Sequence, residues 1–158
     1  MELDNTDRKL LHQLQKNARM TNAELAEQVG RSPSGVQKRL RKLEENGVIQ
    51  QYATILDRVR LGYDMLCFVQ VSLQTHVTDA VTRFDNLVQD MSEILECHRM
   101  TGSADYLLKV VVRNREHLDH FLMSVLMPLQ MVDRVRTNVV LKEIKETTHI
   151  STQYFGEQ

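Results

Sequence analysis

A chain of 158 residues, 42% of them hydrophobic, with a formal net charge of −1, makes one or two small packed domains and excludes a disordered chain. Its longest apolar runs, such as residues 106–112, are too short and too interrupted by charge to span a bilayer, and the polar start MELDNTDRKL has no signal-type apolar segment, so a cytoplasmic protein is expected. Two cysteines, Cys67 and Cys97, are too few for a disulfide scaffold and read as small buried hydrophobes.

The first fifty residues predict three short helices. Leu10, Leu11 and Leu14 mark the inner face of a helix near residues 4–17, with Asp4 as N-cap and Asp7 at its positive end. A second helix starts at Thr21, where Thr21-Asn22-Ala23-Glu24 fits a capping box. Leu25, Ala26 and Val29 give its apolar face, and Gly30 can stop it in a left-handed conformation. Ser32 caps a third helix, with Pro33 in its first turn and Asn46-Gly47 at its end. Residues 48–56, VIQQYATIL, are rich in β-formers and predict a strand or wing.

The third helix carries the charge signal. No acid occurs between Glu27 and Glu44, whereas Arg31, Lys38, Arg39, Arg41 and Lys42 all do. On a wheel of about 100° per residue with Val36 at zero, Leu40 and Leu43 lie within about 40°, while Ser34, Lys38, Arg41 and Lys42 gather between about 140° and 240°. The cations therefore face away from the core. Two helices joined by a Gly30-Arg31-Ser32 turn, the second with a basic outer face, describe a helix-turn-helix. Such a helix fits the major groove of DNA, where cations meet phosphates on both rims. The plainer alternative is a solvated basic face. The candidate DNA-binding residues are Ser32, Ser34, Gly35, Gln37, Lys38, Arg39, Arg41 and Lys42. Ser34 and Gly35 allow close approach, Gln37 and Lys38 can reach base edges, and Arg41 a phosphate or guanine.

Residues 57–64 form a polar connection, which divides the chain into a DNA-binding domain over 1–60 and a second domain over 61–158. Four strands are expected at 65–73, 94–101, 106–112 and 135–144. A helix over 77–91 would present Val77, Val81, Phe84, Leu87 and Val88. Another, capped by Asn114 and running to about Met127, would present Leu118, Phe121, Leu122 and Val125. The order βαββαβ is ferredoxin-like, an α/β sandwich with both helices on one face of an antiparallel sheet. The fold class is thus α+β: a winged helix-turn-helix followed by that sandwich. Leu107 and Val111 oppose Leu108, Val110 and Val112, and Leu66 and Phe68 oppose Cys67, Val69 and Val71, so the sheet is apolar on both faces. A second copy of the chain is expected to cover the free face.

Other chemistry is weakly represented. Cys97 and His98 point to opposite faces of a strand and make a poor metal pair. His117 and His120 share a helix face, where solvent and Asp119 explain them better than a metal. No Ser/His/Asp or Cys/His arrangement and no Gly-rich phosphate loop is legible, and the eight methionines read as core filler, so neither an enzyme nor a cofactor is expected.

Residues 3–19 (LDNTDRKLLHQLQKNAR), 21–49 (TNAELAEQVGRSPSGVQKRLRKLEENGVI), 96–112 (ECHRMTGSADYLLKVVV) and 139–148 (VVLKEIKETT) together resemble the Lrp/AsnC, or feast/famine, family of bacterial and archaeal transcription regulators, and the leucine-responsive type in particular. The resemblance implies a winged helix-turn-helix, mapped here from Asn22 to Arg41, joined to a ligand-sensing βαββαβ domain. It implies dimers that assemble into tetramers, octamers or larger rings. It implies an amino-acid effector bound near the interfaces between dimers that alters assembly and DNA affinity, in a cytoplasmic, nucleoid-associated protein. The family's Gly-x-x-Asp sensing loop maps onto Gly102, Ser103, Ala104 and Asp105, flanked by Thr101 and Tyr106. Asp105 could accept from an amino acid's ammonium while loop amides near Gly102 donate to its carboxylate. A plain hairpin turn is the alternative. Many relatives carry an acid where this chain has Ser103, and a Pro-Gly-Val turn where it has PLQMVDRV. The competing functions are an effector-independent architectural protein that wraps DNA and a small enzyme on the ferredoxin-like fold.

Overall fold

The computed structural model describes residues 1–74 and 78–152, which form two compact units. One comprises Met1–Ile55 together with the described part of Lys145–Gln158; the other is Leu56–Ile144. Residues 145–152 thus return to the first unit, although the sequence placed them in the second domain.

The first unit holds α1 (Asn5–Lys16), α2 (Asn22–Val29) and α3 (Pro33–Glu45). Local chemistry sets every helix start. Asp4 and Asp7 form a reciprocal capping box on α1, as Thr21 and Glu24 do on α2, and the Ser32 hydroxyl accepts from the Gly35 amide at 3.2 Å. Gly30 ends α2 at φ +65°, a conformation that strains any residue with a Cβ. Leu10, Leu14, Leu25, Ala26, Val36, Leu40 and Leu43 make the core. Residues 48–56, expected as a strand or wing, form no strand among the described residues. Instead the Val48 and Ile49 amides donate to Leu43 O at 2.9 and 3.2 Å, which closes the end of α3. A strand needs a ladder partner, and the described chain offers this stretch none. Residues 145–152 are held on α1, where the Gln15 side-chain amide donates to Ile150 O at 2.9 Å and accepts from Ile150 N at 2.7 Å.

The second unit has β1 (Met65–Leu73), α4 (Ala80–Leu87, extended by a 3-10 turn over Val88–Asp90), β2 (Ile94–Arg99), β3 (Tyr106–Val112), α5 (Arg115–His120, continued by a π-helical turn over Phe121–Leu126) and β4 (Val132–Val139). The sheet order is β2-β3-β1-β4, antiparallel throughout, as a ferredoxin-like fold requires. Cys67, Val69, Val71, Leu108, Val110 and Val112 line one sheet face with no exposed area, against Phe84, Phe121 and Leu126. On the other face Leu66 and Val111 are buried, but Phe68, in the central strand β1, is 36% exposed.

Two expectations need correction here, and a third is not reached by the described residues. The first helix of this unit is described from Ala80, and the expected start at Val77 lies outside the described residues. Its inner face is Ala80, Phe84 and Val88, with Leu87 exposed, because that spacing of four is the one that meets the sheet. β4 begins at Val132, three residues early, and ends at Val139, because Leu73 pairs with Val132 across an irregularity at Ser72/Leu73.

Candidate nucleic-acid interface and effector loop

The outer face of α3 is built from the inside. Val36 and Leu43 are fully buried and Leu40 nearly so, which fixes which residues face solvent. Ser34, Gln37, Lys38, Arg41 and Lys42 are all exposed. Ser32 also lies at the surface, with its hydroxyl on the Gly35 amide and 3.3 Å from the Ser34 hydroxyl. A methyl group at Gly35 would sit 3.1 Å from Ser32 Oγ, so glycine keeps this cap tight as well as slim. Arg41 pairs with Glu45 at 2.8 Å, but both are well exposed, and such an i,i+4 pair is easily surrendered to a phosphate.

Arg39 is the exception among the candidates. At about −60° on the wheel it flanks the apolar stripe rather than opposing it. Its Nη1 donates to Asp4 Oδ2 at 2.6 Å and to Asp7 Oδ1 at 2.8 Å. Asp7 is a buried charge, only 5% exposed. The Asp7 backbone N–H, foremost, and the Arg39 guanidinium hold the Asp4 carboxyl below its ordinary pKa, and the two acids raise that of Arg39. Arg39's place on the wheel sets it apart from the other cations but does not point to Asp4 and Asp7.

The loop between β2 and β3 is closed by the Met100 amide donating to Asp105 O at 2.8 Å. Gly102 has φ +125°, in the region that favours glycine. Asp105 is bound to β1 twice: its amide donates to Val71 O at 3.0 Å, and its Oδ2 accepts from the Leu73 amide at 2.7 Å. Its Oδ1 has no hydrogen-bond partner among the described residues. Thr101, Gly102, Ser103 and Asp105 are exposed and Ala104 half-buried. Tyr106 goes elsewhere. It is buried in the core, its ring 4.7 Å from that of Phe84 and its hydroxyl donating to Asp85 Oδ1 at 2.6 Å. The structure therefore brings five of the six candidates to one exposed loop and turns Tyr106 inward.

His117 and the two cysteines find structural roles. His117 Nδ1 accepts from the Arg113 amide at 3.3 Å, so its Nε2 carries the proton toward Glu93 Oε1 at 3.2 Å. No group of three or more His, Cys, Asp or Glu residues among the described residues could hold a metal ion. Cys67 is buried and Cys97 half-buried, both are free thiols, and burial pushes both pKa values up. No helix among the described residues is long and apolar enough to cross a membrane.

Comparison with known proteins agrees with this geometry. Residues 3–50 match the family model described as winged helix-turn-helix DNA-binding, and residues 66–150 match that of the Lrp/AsnC ligand binding domain. The Escherichia coli leucine-responsive regulatory protein is 38% identical over 149 residues, covering 94% of this chain and 91% of that protein. A Neisseria meningitidis transcriptional regulator, solved as a complex with L-Met, superposes with a TM-score of 0.91 at 38% identity, covering 94% of this chain and 96% of that one. Escherichia coli AsnC gives 0.87 at 30% identity, covering 94% and 99%. With one family model on the three-helix unit, the other on the four-stranded unit, and relatives matching along nearly the whole chain, this protein belongs to the Lrp/AsnC family of DNA-binding transcription regulators.

Proposed function

We propose that this chain reads duplex DNA with the outer face of α3 and that an amino-acid effector, bound at the Gly102–Asp105 loop, changes its assembly and DNA affinity. The observation that carries the first half is the fixed division of α3, with Val36, Leu40 and Leu43 inward and Ser34, Gln37, Lys38, Arg41 and Lys42 outward. Lys38, Arg41 and Lys42 neutralise phosphates, while Ser34, Gly35 and Gln37 approach base edges. Arg39 is left out of that set. The loop half is supported by the Oδ1 of Asp105, which has no partner among the described residues and can accept from an ammonium, and by the L-Met complex of the Neisseria relative. A second copy of the chain covers Phe68 and the open sheet face, so two reading heads act together on the DNA of the cytoplasm. The protein is a regulator rather than an enzyme.

Duplex binding measured by fluorescence anisotropy, with and without L-methionine, tests both halves. Lys38→Ala and Arg41→Ala should each weaken binding without lowering the melting temperature, and methionine should shift both affinity and sedimentation. Affinity indifferent to both substitutions refutes the α3 assignment. Affinity and size indifferent to all twenty amino acids would favour instead an effector-independent protein that wraps DNA.

A further inference from the structure

Asp4, Asp7 and Arg39 form a closed polar network. Each carboxylate uses one oxygen for the capping box and the other for Arg39. The Asp4 amide donates to Asp7 Oδ2 at 3.1 Å and the Asp7 amide to Asp4 Oδ1 at 2.8 Å. The two remaining oxygens, Asp4 Oδ2 and Asp7 Oδ1, both accept from Arg39 Nη1, at 2.6 and 2.8 Å. All four carboxylate oxygens are therefore engaged, and the start of α1 is joined to the middle of α3 across 35 and 32 residues of sequence. A charge as deep as Asp7 requires a partner, and Arg39 supplies it.

We propose that Arg39, held by Asp4 and Asp7, is a positioning residue that sets the rotation of α3 and does not itself contact DNA. The proposal rests on the reading of α3 as the DNA-facing helix. The apolar stripe of α3 is narrow, with Val36, Leu40 and Leu43 spanning about 60° of the wheel. A narrow stripe anchors a helix in depth but leaves it able to roll. Arg39 grips one flank of the stripe, and its acceptors cannot follow a roll because the capping box ties them to each other and to the first turn of α1. Rolling α3 would carry Ser34, Gln37 and Lys38 out of phase with base edges, where contacts depend on direction.

The test turns on a sign. Removing an acid from a protein that binds a polyanion strengthens binding if charge alone matters. The proposal requires the opposite. Asp4→Asn is the informative variant, because asparagine caps a helix as well as aspartate does. Asp7→Asn and Arg39→Gln break the other arms, and Arg39→Lys, able to keep one carboxylate, should restore part of the affinity. Affinity for a duplex selected by the wild-type chain from a random pool is measured across salt, below each variant's melting temperature. The expected result is about thirtyfold weaker binding for Asp7→Asn and Arg39→Gln, the worth of one charge-assisted hydrogen bond, and a smaller loss for Asp4→Asn. The salt slope should match wild type in all three, while Lys38→Ala loses about one unit. Tighter binding by Asp4→Asn, unchanged affinity in Arg39→Gln, or a unit of slope lost on removing Arg39 overturns the proposal while the DNA reading stands. A wild-type chain that ignores duplex overturns that reading, and the proposal with it.

Discussion

The effector role proposed for Asp105 can be separated from its structural one by two substitutions. Its Oδ2 holds the Leu73 amide at 2.7 Å, and its Oδ1 has no hydrogen-bond partner among the described residues. Asp105→Ala leaves the Leu73 N–H without its acceptor. At this solvated edge that costs about 1 kcal/mol, which for a chain of this size lowers Tm by about 3 °C. Asp105→Asn keeps an acceptor for Leu73, so stability should stay within about 0.5 kcal/mol of wild type. It removes the charge, however, and a lost charge-assisted bond to an ammonium weakens affinity about thirtyfold. Thermal denaturation with L-methionine reads both effects. At about 100 times Kd the wild type gains about 2.7 kcal/mol, or about 8 °C. At the same concentration Asp105→Asn should gain only about 0.9 kcal/mol, or about 3 °C. A full methionine shift in Asp105→Asn would show that this carboxylate only braces the hairpin, and would move the pocket elsewhere.

Tyr106 provides a pH signature. Burial, and then the Asp85 carboxylate that accepts its proton, raise the phenol well above its ordinary pKa of 10.0. The folded chain therefore keeps a proton that the unfolded chain releases above pH 10, and stability present below that pH is lost as pH rises beyond it. The decline attributable to Tyr106 is up to about 1.4 kcal/mol per pH unit, and urea titrations between pH 9 and 11 should show that Tyr106→Phe removes it. Phe68→Glu places a charge on the open sheet face and should halve the mass measured by light scattering, whereas an unchanged mass would remove that face from the interface. Gln15→Ala breaks both bonds to Ile150 and should speed amide exchange at Ile150 by about tenfold; no change would mean that other contacts hold the tail.

What could be read from the sequence was what is encoded locally. Asp4, Thr21, Ser32, Gly30 and Asn114 act within three or four residues of themselves, and each caps the helix end expected of it. The division of α3 into apolar and basic faces needs only a wheel. Long-range partners were not legible. Arg39 counted as one more cation because nothing near it signals Asp4 and Asp7, and residues 145–152 show no periodicity that directs them to α1. The loop candidates were contiguous and stayed together, except that strand alternation turns Tyr106 into the core. The helix expected to run evenly to Met127 instead widens into a π turn, with the Met127 amide reaching back to Leu122 O at 2.9 Å. That extra residue brings Leu126 fully into the core and leaves Val125 half-buried, a shift that 3.6-residue periodicity cannot show.

The central claim is that Val36, Leu40 and Leu43 anchor α3 so that its cations meet a polyanion together. The most direct measurement is the salt dependence of duplex binding for the wild type and for the triple variant Lys38→Ala/Arg41→Ala/Lys42→Ala. The prediction is tight binding in dilute buffer by the wild type, with a slope of log affinity against log salt that the variant reduces by about 2.7 per reading head. Equal slopes, or a wild type that leaves duplex unbound in dilute buffer, would contradict it.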